Sequence, residues 1–286
     1  MVNRWLNTDA DIVVLTREAR PHRHNIRYVR WDARTLGGWA EELEGATGII
    51  NLVGKSVNCR YTAANKAEII RSRVDSTAVI GEAIQQSETP PDCWINAGSA
   101  AIFGDAGDSV KTESDAVGNG FSAEVCKQWE ATFQQCETRQ TRKVFLRIGI
   151  VIQSRGGILR PFINLARFGL GGRIGTGEQY LSWIHESDFA DLIEWTMEND
   201  SIVGVLHACS PCPVKNGDFM AAIRKKVGVP FGIPSAEWST RLGARLIGTE
   251  PELVLSGRRV VSERLEKAGF QFNFPELRDA LQNLVL

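Results

Sequence analysis

Apolar residues along this chain fall into short unbroken runs, with helically spaced segments between them. The runs are DIVVLT (11–16), RYVRW (27–31), TGIINLV (47–53), CWINA (93–97), KVFLRIGIVI (143–152) and VGVLHA (203–208). They are continuous rather than alternating, which predicts strands buried on both faces of a parallel sheet. Residues 63–86 carry Ile69, Ile70, Val74, Val79, Ile80 and Ile84 at helical spacing. Residues 122–136 repeat the pattern through Val125, Trp129 and Phe133, and a third helix is predicted over 188–198, opened by a capping Asp188. Alternating strands and helices predict an α/β protein with a doubly wound, Rossmann-like parallel sheet. After residue 210 the pattern changes to short helices broken by Pro211, Pro213, Pro230 and Pro234. This predicts two parts, a Rossmann-type domain over 1–210, with a substrate-side loop near 154–183, and a smaller, mostly helical lobe over 211–286.

Composition narrows the function classes. The chain has 286 residues, 43% of them hydrophobic, and a net charge of −1 from 33 basic and 34 acidic side chains. Nucleic acids and anionic membranes need concentrated positive charge, so neither is an expected partner. No apolar run approaches the roughly 20 residues of a membrane span. With no secretory pattern at the start, a cytoplasmic location is expected. Cys59, Cys93, Cys126, Cys136, Cys209 and Cys212 are irregularly spaced and read as free thiols. Cys209 and Cys212 form a CxxC with His207 two residues before it, but no second pair completes a metal site, so no metal is expected.

Ligands of such sheets bind beyond the carboxyl ends of the strands. Arg17 follows the run at 11–16, where a guanidinium pairs with the 2′-phosphate of NADP and a carboxylate would accept the 2′-hydroxyl of NAD. NADP is therefore the expected cofactor, with NAD as the alternative. Asp32 ends the next run, where a carboxylate receives the adenine amino group. Asn51, Leu52 and Val53 lead to Gly54, whose lack of a side chain lets backbone approach a ligand. Gly169, Gly172 and Gly175 have the spacing of a dinucleotide fingerprint. They follow a helix instead of joining a strand to a helix N-terminus, so they are read as a flexible loop lining a substrate cleft. Ser182-Trp183-Ile184-His185 with Asp188 would form the wall of that cleft.

Several of these runs carry a resemblance. Ile50-Asn-Leu-Val-Gly54, Ile69-Ile-Arg-Ser-Arg73, Ser99-Ala-Ala-Ile-Phe-Gly104, Leu146-Arg-Ile-Gly149, Gly171-Gly-Arg-Ile-Gly-Thr-Gly177, Ser182-Trp-Ile-His185 with Asp188, and Ala268-Gly-Phe-Gln-Phe272 occur in an order specific as a set. From about residue 10 onward the chain resembles an atypical branch of the extended short-chain dehydrogenase/reductases, the NAD(P)-dependent epimerase-like proteins with a characteristic C-terminal domain. The resemblance implies an NADP site that also uses Arg147 and Gly149. It implies a small hydroxylated or carbonyl substrate, of which a nucleotide sugar is one type, and a serine, Ser99, that hydrogen-bonds the reacting oxygen. It also implies that helices 63–86 and 121–137 pair in a homodimer.

The chain departs from that family in two ways. The superfamily uses a tyrosine with a lysine four residues on. Here Tyr28, Tyr61 and Tyr180 are followed at that distance by Asp32, Asn65 and Ile184, and Phe121 stands near the expected place. Lys127, Tyr180 and His185 remain as candidate proton carriers. The family's first strand and glycine turn are not found before residue 11, which predicts a sheet interrupted between the strands at 11–16 and 47–53. Either a longer natural chain supplies them, or the protein is a shortened form with weakened cofactor binding. Two functions follow, an NADP-dependent epimerase-like oxidoreductase or a non-catalytic dinucleotide-binding sensor or scaffold.

Overall fold

A computed structural model describes residues 4–6, 8–138 and 140–285. Six apolar runs form the expected parallel strands. β1 (Ile12–Thr16) pairs with β2 (Ile26–Arg30), and the run near 50 forms β3 (Gly48–Asn51). α1 (Ala63–Gln86) leads to β4 (Cys93–Ser99), followed by a two-residue β5 (Val110–Lys111) and α2 (Phe121–Gln135). The long apolar run at 143–152 divides into β6 (Arg142–Ile148) and β7 (Ile150–Ile152). α3 (Leu159–Arg167), β8 (Tyr180–Leu181), β9 (Trp183–His185) and α4 (Glu186–Glu198) precede β10 (Gly204–Ala208). β10, β6, β4 and β3 are hydrogen-bonded neighbours in that order, all parallel.

The sheet is buried on both faces because side chains alternate along its strands. Cys93, Ile95, Val144 and Leu146 pack with Phe189, Leu192 and Ile193 of α4. Trp94 and Phe145 turn the other way, against Val79 and Ile80 of α1 and Trp129 and Phe133 of α2. Burying each of these large side chains contributes about 1.5–3 kcal/mol. The Thr62 hydroxyl caps α1 by accepting from the Asn65 amide at 3.2 Å, worth about 1 kcal/mol.

The sheet is interrupted where the sequence predicts. Leu15 of β1 and Ile49 of β3 pack on the same apolar cluster. Yet among the described residues β1 ladders only with β2, and β3 only with β4. One edge of each strand thus carries backbone groups with no strand beside them.

Two local expectations need correction. The run at 143–152 is two strands because Gly149 is a crossing point: a Cβ there would lie 2.8 Å from the Ser182 carbonyl oxygen and 2.9 Å from the Cys209 sulfur. The chain passes through this gap to pair β7 with β9 instead of extending β6. The third helix begins at Glu186, not Asp188, and its cap is His185, whose Nδ1 accepts from the Ser187 amide at 3.1 Å.

A second core lies where α3 packs on the helices after residue 210. These are α5 (Asn216–Val227), which follows β11 (Val214–Lys215), and α9 (Leu277–Asn283). Phe162, Ile163, Phe219, Ile223, Leu277 and Leu281 fill it. Between them come α6 (Glu237–Ile247), α7 (Glu252–Leu255), β12 (Arg259–Val260) and α8 (Glu263–Lys267). Only Ala244 of α6 is buried, which leaves Trp238, Leu242, Leu246 and Ile247 exposed. The glycines at 169–175 are not a flexible loop. Gly169, Gly172 and Gly175 exchange backbone hydrogen bonds with Ile233 and Ser235. A Cβ on Gly172 would lie 2.4 Å from the Ile233 backbone, so glycine permits this close seam. No helix among the described residues is long and apolar enough to cross a membrane.

Candidate functional site

Arg17 follows the carboxyl end of β1, Leu52 and Gly54 that of β3, and Ser99 is the last residue of β4. Arg17 is exposed just past β1 and forms no ion pair among the described residues. Asp32 is exposed past β2. Its carboxylate accepts from the Arg34 and Thr35 amides at 2.8 and 2.9 Å and from the Thr35 hydroxyl at 2.7 Å. These bonds, the Thr35 amide first, hold its pKa down to about 2. Asp32 is thus a permanently charged loop clasp at neutral pH.

Past β3 the roles divide. The Asn51 side chain is buried. Its Nδ2 donates to the Asn96 side-chain Oδ1 at 2.7 Å and its Oδ1 accepts from the Val53 amide at 3.1 Å, so it shapes the turn. Leu52 is 46% exposed, a flat apolar surface beside Gly54 at the strand tip. The Arg73 guanidinium crosses beneath Gly54, where an added Cβ would lie 3.0 Å from its Cζ.

Ser99 ends the central strand β4. Its half-buried hydroxyl accepts from the Ala101 amide at 3.1 Å, capping the 3-10 turn Ala100–Phe103, and its own proton has no acceptor among the described residues. A hydroxyl held this way can donate to an oxygen placed at the strand tip.

Arg147 and Gly149 are occupied within the fold. Arg147 makes a bidentate pair with Glu130, 2.9 Å at each contact, with side-chain exposures of 7% and 10%. Phe103 covers that guanidinium. Gly149 serves the strand crossing described above.

The candidate proton carriers separate in the same way. The His185 ring is sealed against Phe274, 4.2 Å between centroids, and burial lowers its pKa. Asp188 does not face a cleft: its carboxylate accepts from the Asn273 and Phe274 amides at 2.9 and 3.0 Å and so ties the C-terminal segment to α4. The Tyr180 ring lies between Lys215 and Arg259. Lys127 is half-buried on α2, and no hydrogen bond or ion pair reaches its amine among the described residues.

All six cysteines are unpaired, and Cys212 Sγ lies 3.1 Å from a Glu276 carboxylate oxygen. His207 is turned away from the CxxC, with Nδ1 2.8 Å from the Val261 carbonyl oxygen. No group of three His, Cys, Asp or Glu side chains among the described residues is placed to hold a metal ion.

A cleft of about 780 Å³ opens between the loop before α1 and α6. Arg60, Tyr61 and Thr62 line one side, and Trp238, Arg241, Leu242 and Arg245 the other. Tyr61 lies edge-on to Phe121, 4.8 Å between centroids. Its hydroxyl is buried without a hydrogen bond of good geometry, and burial pushes its pKa up to about 12 against the opposing Ser122 side chain. The sequence pattern passes over Tyr61 because no lysine follows at the fourth residue. Arg258 escapes notice as well, in a short segment without periodicity; its one signal is the tandem Arg258-Arg259 next to Gly257.

A half-buried serine thus ends the central parallel strand β4, and an exposed arginine without an ion pair among the described residues follows β1. A model of the NAD dependent epimerase/dehydratase family matches residues 1–205, and one of a domain of unknown function (DUF1731) matches residues 237–284. The chain belongs to the NAD dependent epimerase/dehydratase family. Epimerase family protein YfhF of Bacillus subtilis is 30% identical over 277 residues, covering 96% of this chain and 89% of that protein. The crystal structure of human epimerase family protein SDR39U1 (isoform2) with NADPH matches with a TM-score of 0.87 at 25% identity, covering 99% of this chain and 94% of that one. MoeE5 in complex with UDP-glucuronic acid and NAD shares the fold, with a TM-score of 0.76 at 20% identity, covering 99% of this chain and 92% of that one.

Proposed function

We propose that this protein is an NADP-dependent oxidoreductase of the epimerase/dehydratase family, acting on a small hydroxylated or carbonyl substrate such as a nucleotide sugar. The observation that carries the reading is the Ser99 hydroxyl at the tip of β4, with its proton unspent. The residues fit the cofactor at two places. Arg17 would take the 2′-phosphate, and Leu52 with Gly54 gives an apolar, closely approachable strand tip. The structure of human SDR39U1 with NADPH supports the choice of NADP. Between these places, the facing edges of β1 and β3 are unladdered, and no described residue there supplies a glycine turn for the pyrophosphate.

When bound, the cofactor supplies hydride transfer. Ser99 would then hold the reacting oxygen and favour charge developing on it. Lys127 is the candidate carrier whose amine the fold leaves uncommitted. The reading includes a cytoplasmic location and a homodimer through α1 and α2, the latter tested by light scattering. NADPH oxidation across a panel of ketoses, aldehydes and nucleotide sugars tests the function. Turnover that falls in Ser99→Ala supports it, and no turnover with cofactor demonstrably bound rejects it. The alternative, a dinucleotide-binding sensor without chemistry, draws on Phe121, which brings no exchangeable proton to the start of α2. It predicts NADPH binding that Ser99→Ala leaves unchanged, and no turnover.

A further inference from the structure

One face of the molecule concentrates what the whole chain balances out. Fourteen large apolar side chains are exposed among the described residues, and nine of them come from two short stretches. Leu165, Phe168 and Leu170 stand at the end of α3. Phe231 and Ile233 precede α6, which adds Trp238, Leu242, Leu246 and Ile247. The two stretches form one surface. The Gly169 carbonyl accepts from the Ile233 amide at 2.8 Å, and a Cβ on Gly169 would lie 3.0 Å from the Phe231 ring. The Ser235 amide donates to the Arg173 carbonyl at 2.9 Å, directly before α6 begins.

These side chains project; they do not line a groove. Phe168 is 81% exposed, Ile247 80% and Leu246 77%. On α6, Trp238, Leu242 and Leu246 recur every fourth residue and so share one stripe, on the side away from the buried Ala244.

Charge follows the same two stretches. Residues 155–177 contain Arg155, Arg160, Arg167 and Arg173 and no acidic residue. All four are exposed, and none forms an ion pair among the described residues. Residues 224–247 contain Arg224, Lys225, Lys226, Arg241 and Arg245 against Glu237 alone, which pairs with Arg241 in its own helix. Glu250, just past α6, is turned to the Tyr61 amide at 2.6 Å. The net charge of −1 thus conceals a face on which basic residues far outnumber acidic ones.

Charge and shape together select the occupant. A symmetric second copy would bring this basic face against itself. A nucleic acid would meet the arginines but leave Phe168, Leu246 and Ile247 in water. A bilayer with anionic headgroups satisfies both features: apolar side chains enter the boundary between headgroups and acyl chains, and arginines meet the lipid phosphates.

We propose that the end of α3, residues 231–233 and α6 form a surface that binds peripherally to an anionic lipid bilayer. α6 lies along the bilayer and does not cross it. Trp238 and Leu242 also line the 780 Å³ cleft, so the bound bilayer lies beside its mouth.

Sedimentation of the full chain with vesicles of phosphatidylcholine, alone or mixed with an equal part of phosphatidylglycerol, tests this. The test needs neither cofactor nor turnover, so its result stands apart from the proposed activity. The chain should bind the mixed vesicles at least about tenfold more tightly than the neutral ones, and raising the salt to about 1 M should release it. Arg160→Gln/Arg167→Gln should weaken binding to mixed vesicles about 30-fold, which is about 1 kcal/mol for each arginine. Phe168→Ser/Leu246→Ser should weaken it about tenfold. Both variants change exposed side chains and should keep the wild-type Tm within about 1 °C, which separates lost binding from lost folding. Equal binding to the two kinds of vesicle, or binding to neither, overturns the proposal. So does binding that survives in both variants. Self-association of the vesicle-free chain in light scattering that Phe168→Ser/Leu246→Ser abolishes also overturns it, and gives the face to a second copy.

Discussion

Two arginines on neighbouring elements meet opposite fates. Arg147 on β6 is locked to Glu130 by two 2.9 Å bonds, and Glu113 extends the network by accepting from the His207 amide at 3.0 Å and from the Ser262 hydroxyl. Arg258, just before β12, forms no ion pair and no side-chain hydrogen bond from its guanidinium among the described residues; its backbone bonds Tyr180 and Ser182. The first region spends its polar groups on joining β6, α2 and the C-terminal segment. The second leaves a half-buried guanidinium without a partner. Burial alone does not distinguish structural from ligand-binding charge; hydrogen-bond satisfaction does.

Breaking the satisfied region should have the largest effect. Arg147→Met leaves Glu130 buried without its cation and should cost about 3–5 kcal/mol in urea unfolding. The double variant Arg147→Met/Glu130→Leu should recover most of the loss. A single-variant cost below about 1 kcal/mol would remove the contrast. Next comes Ser99→Ala, expected to lower turnover about 10²–10³-fold while stability changes by less than about 1 kcal/mol. If it unfolds the protein instead, Ser99 belongs with Arg147.

Asp188→Ala removes a carboxylate that binds two amides and should cost about 2–3 kcal/mol by calorimetry. Burial raises the native pKa of Asp188. The fold therefore favours its protonated form, and its contribution is greatest in acid and declines as pH rises through the raised value. The deficit of Asp188→Asn relative to wild type should shrink from acid to neutral pH. Asp32 should show the reverse, with the smallest effect. Its native pKa of about 2 lies below the ordinary 3.8, so its contribution is present above that ordinary value and fades as pH falls toward 2. Asp32→Asn should differ from wild type at neutral pH and converge with it in strong acid. An Asp32→Asn deficit that grows in acid would contradict the loop-clasp geometry.

The sheet was legible because continuous apolar runs such as CWINA leave few alternatives to a strand buried on both faces. The division at Gly149 was not, because KVFLRIGIVI is apolar throughout and only the close approach of Ser182 and Cys209 breaks it. Asp188 has the residue type of a helix cap, yet His185 takes that role because Asp188 is drawn to the amides of Asn273 and Phe274, 85 residues away. Such long-range pairing leaves no local pattern. Among candidate site residues, the positions of Arg17 past β1 and Ser99 at the end of β4 were readable because the apolar runs mark where those strands stop. Arg147 looked equally suitable, and only Glu130 on α2 reveals its structural employment. Arg258 needed three dimensions, because what marks it is the partner its guanidinium lacks among the described residues.

Calorimetric titration of NADPH and NADH into the wild-type chain and Arg17→Ala tests most directly whether the strand tips form the cofactor site. NADPH should bind the wild type at least about tenfold more tightly than NADH, a difference of about 1.4 kcal/mol, and Arg17→Ala should erase that preference. Equal affinities for the two cofactors in the wild type, or a preference for NADPH that survives in Arg17→Ala, would contradict it.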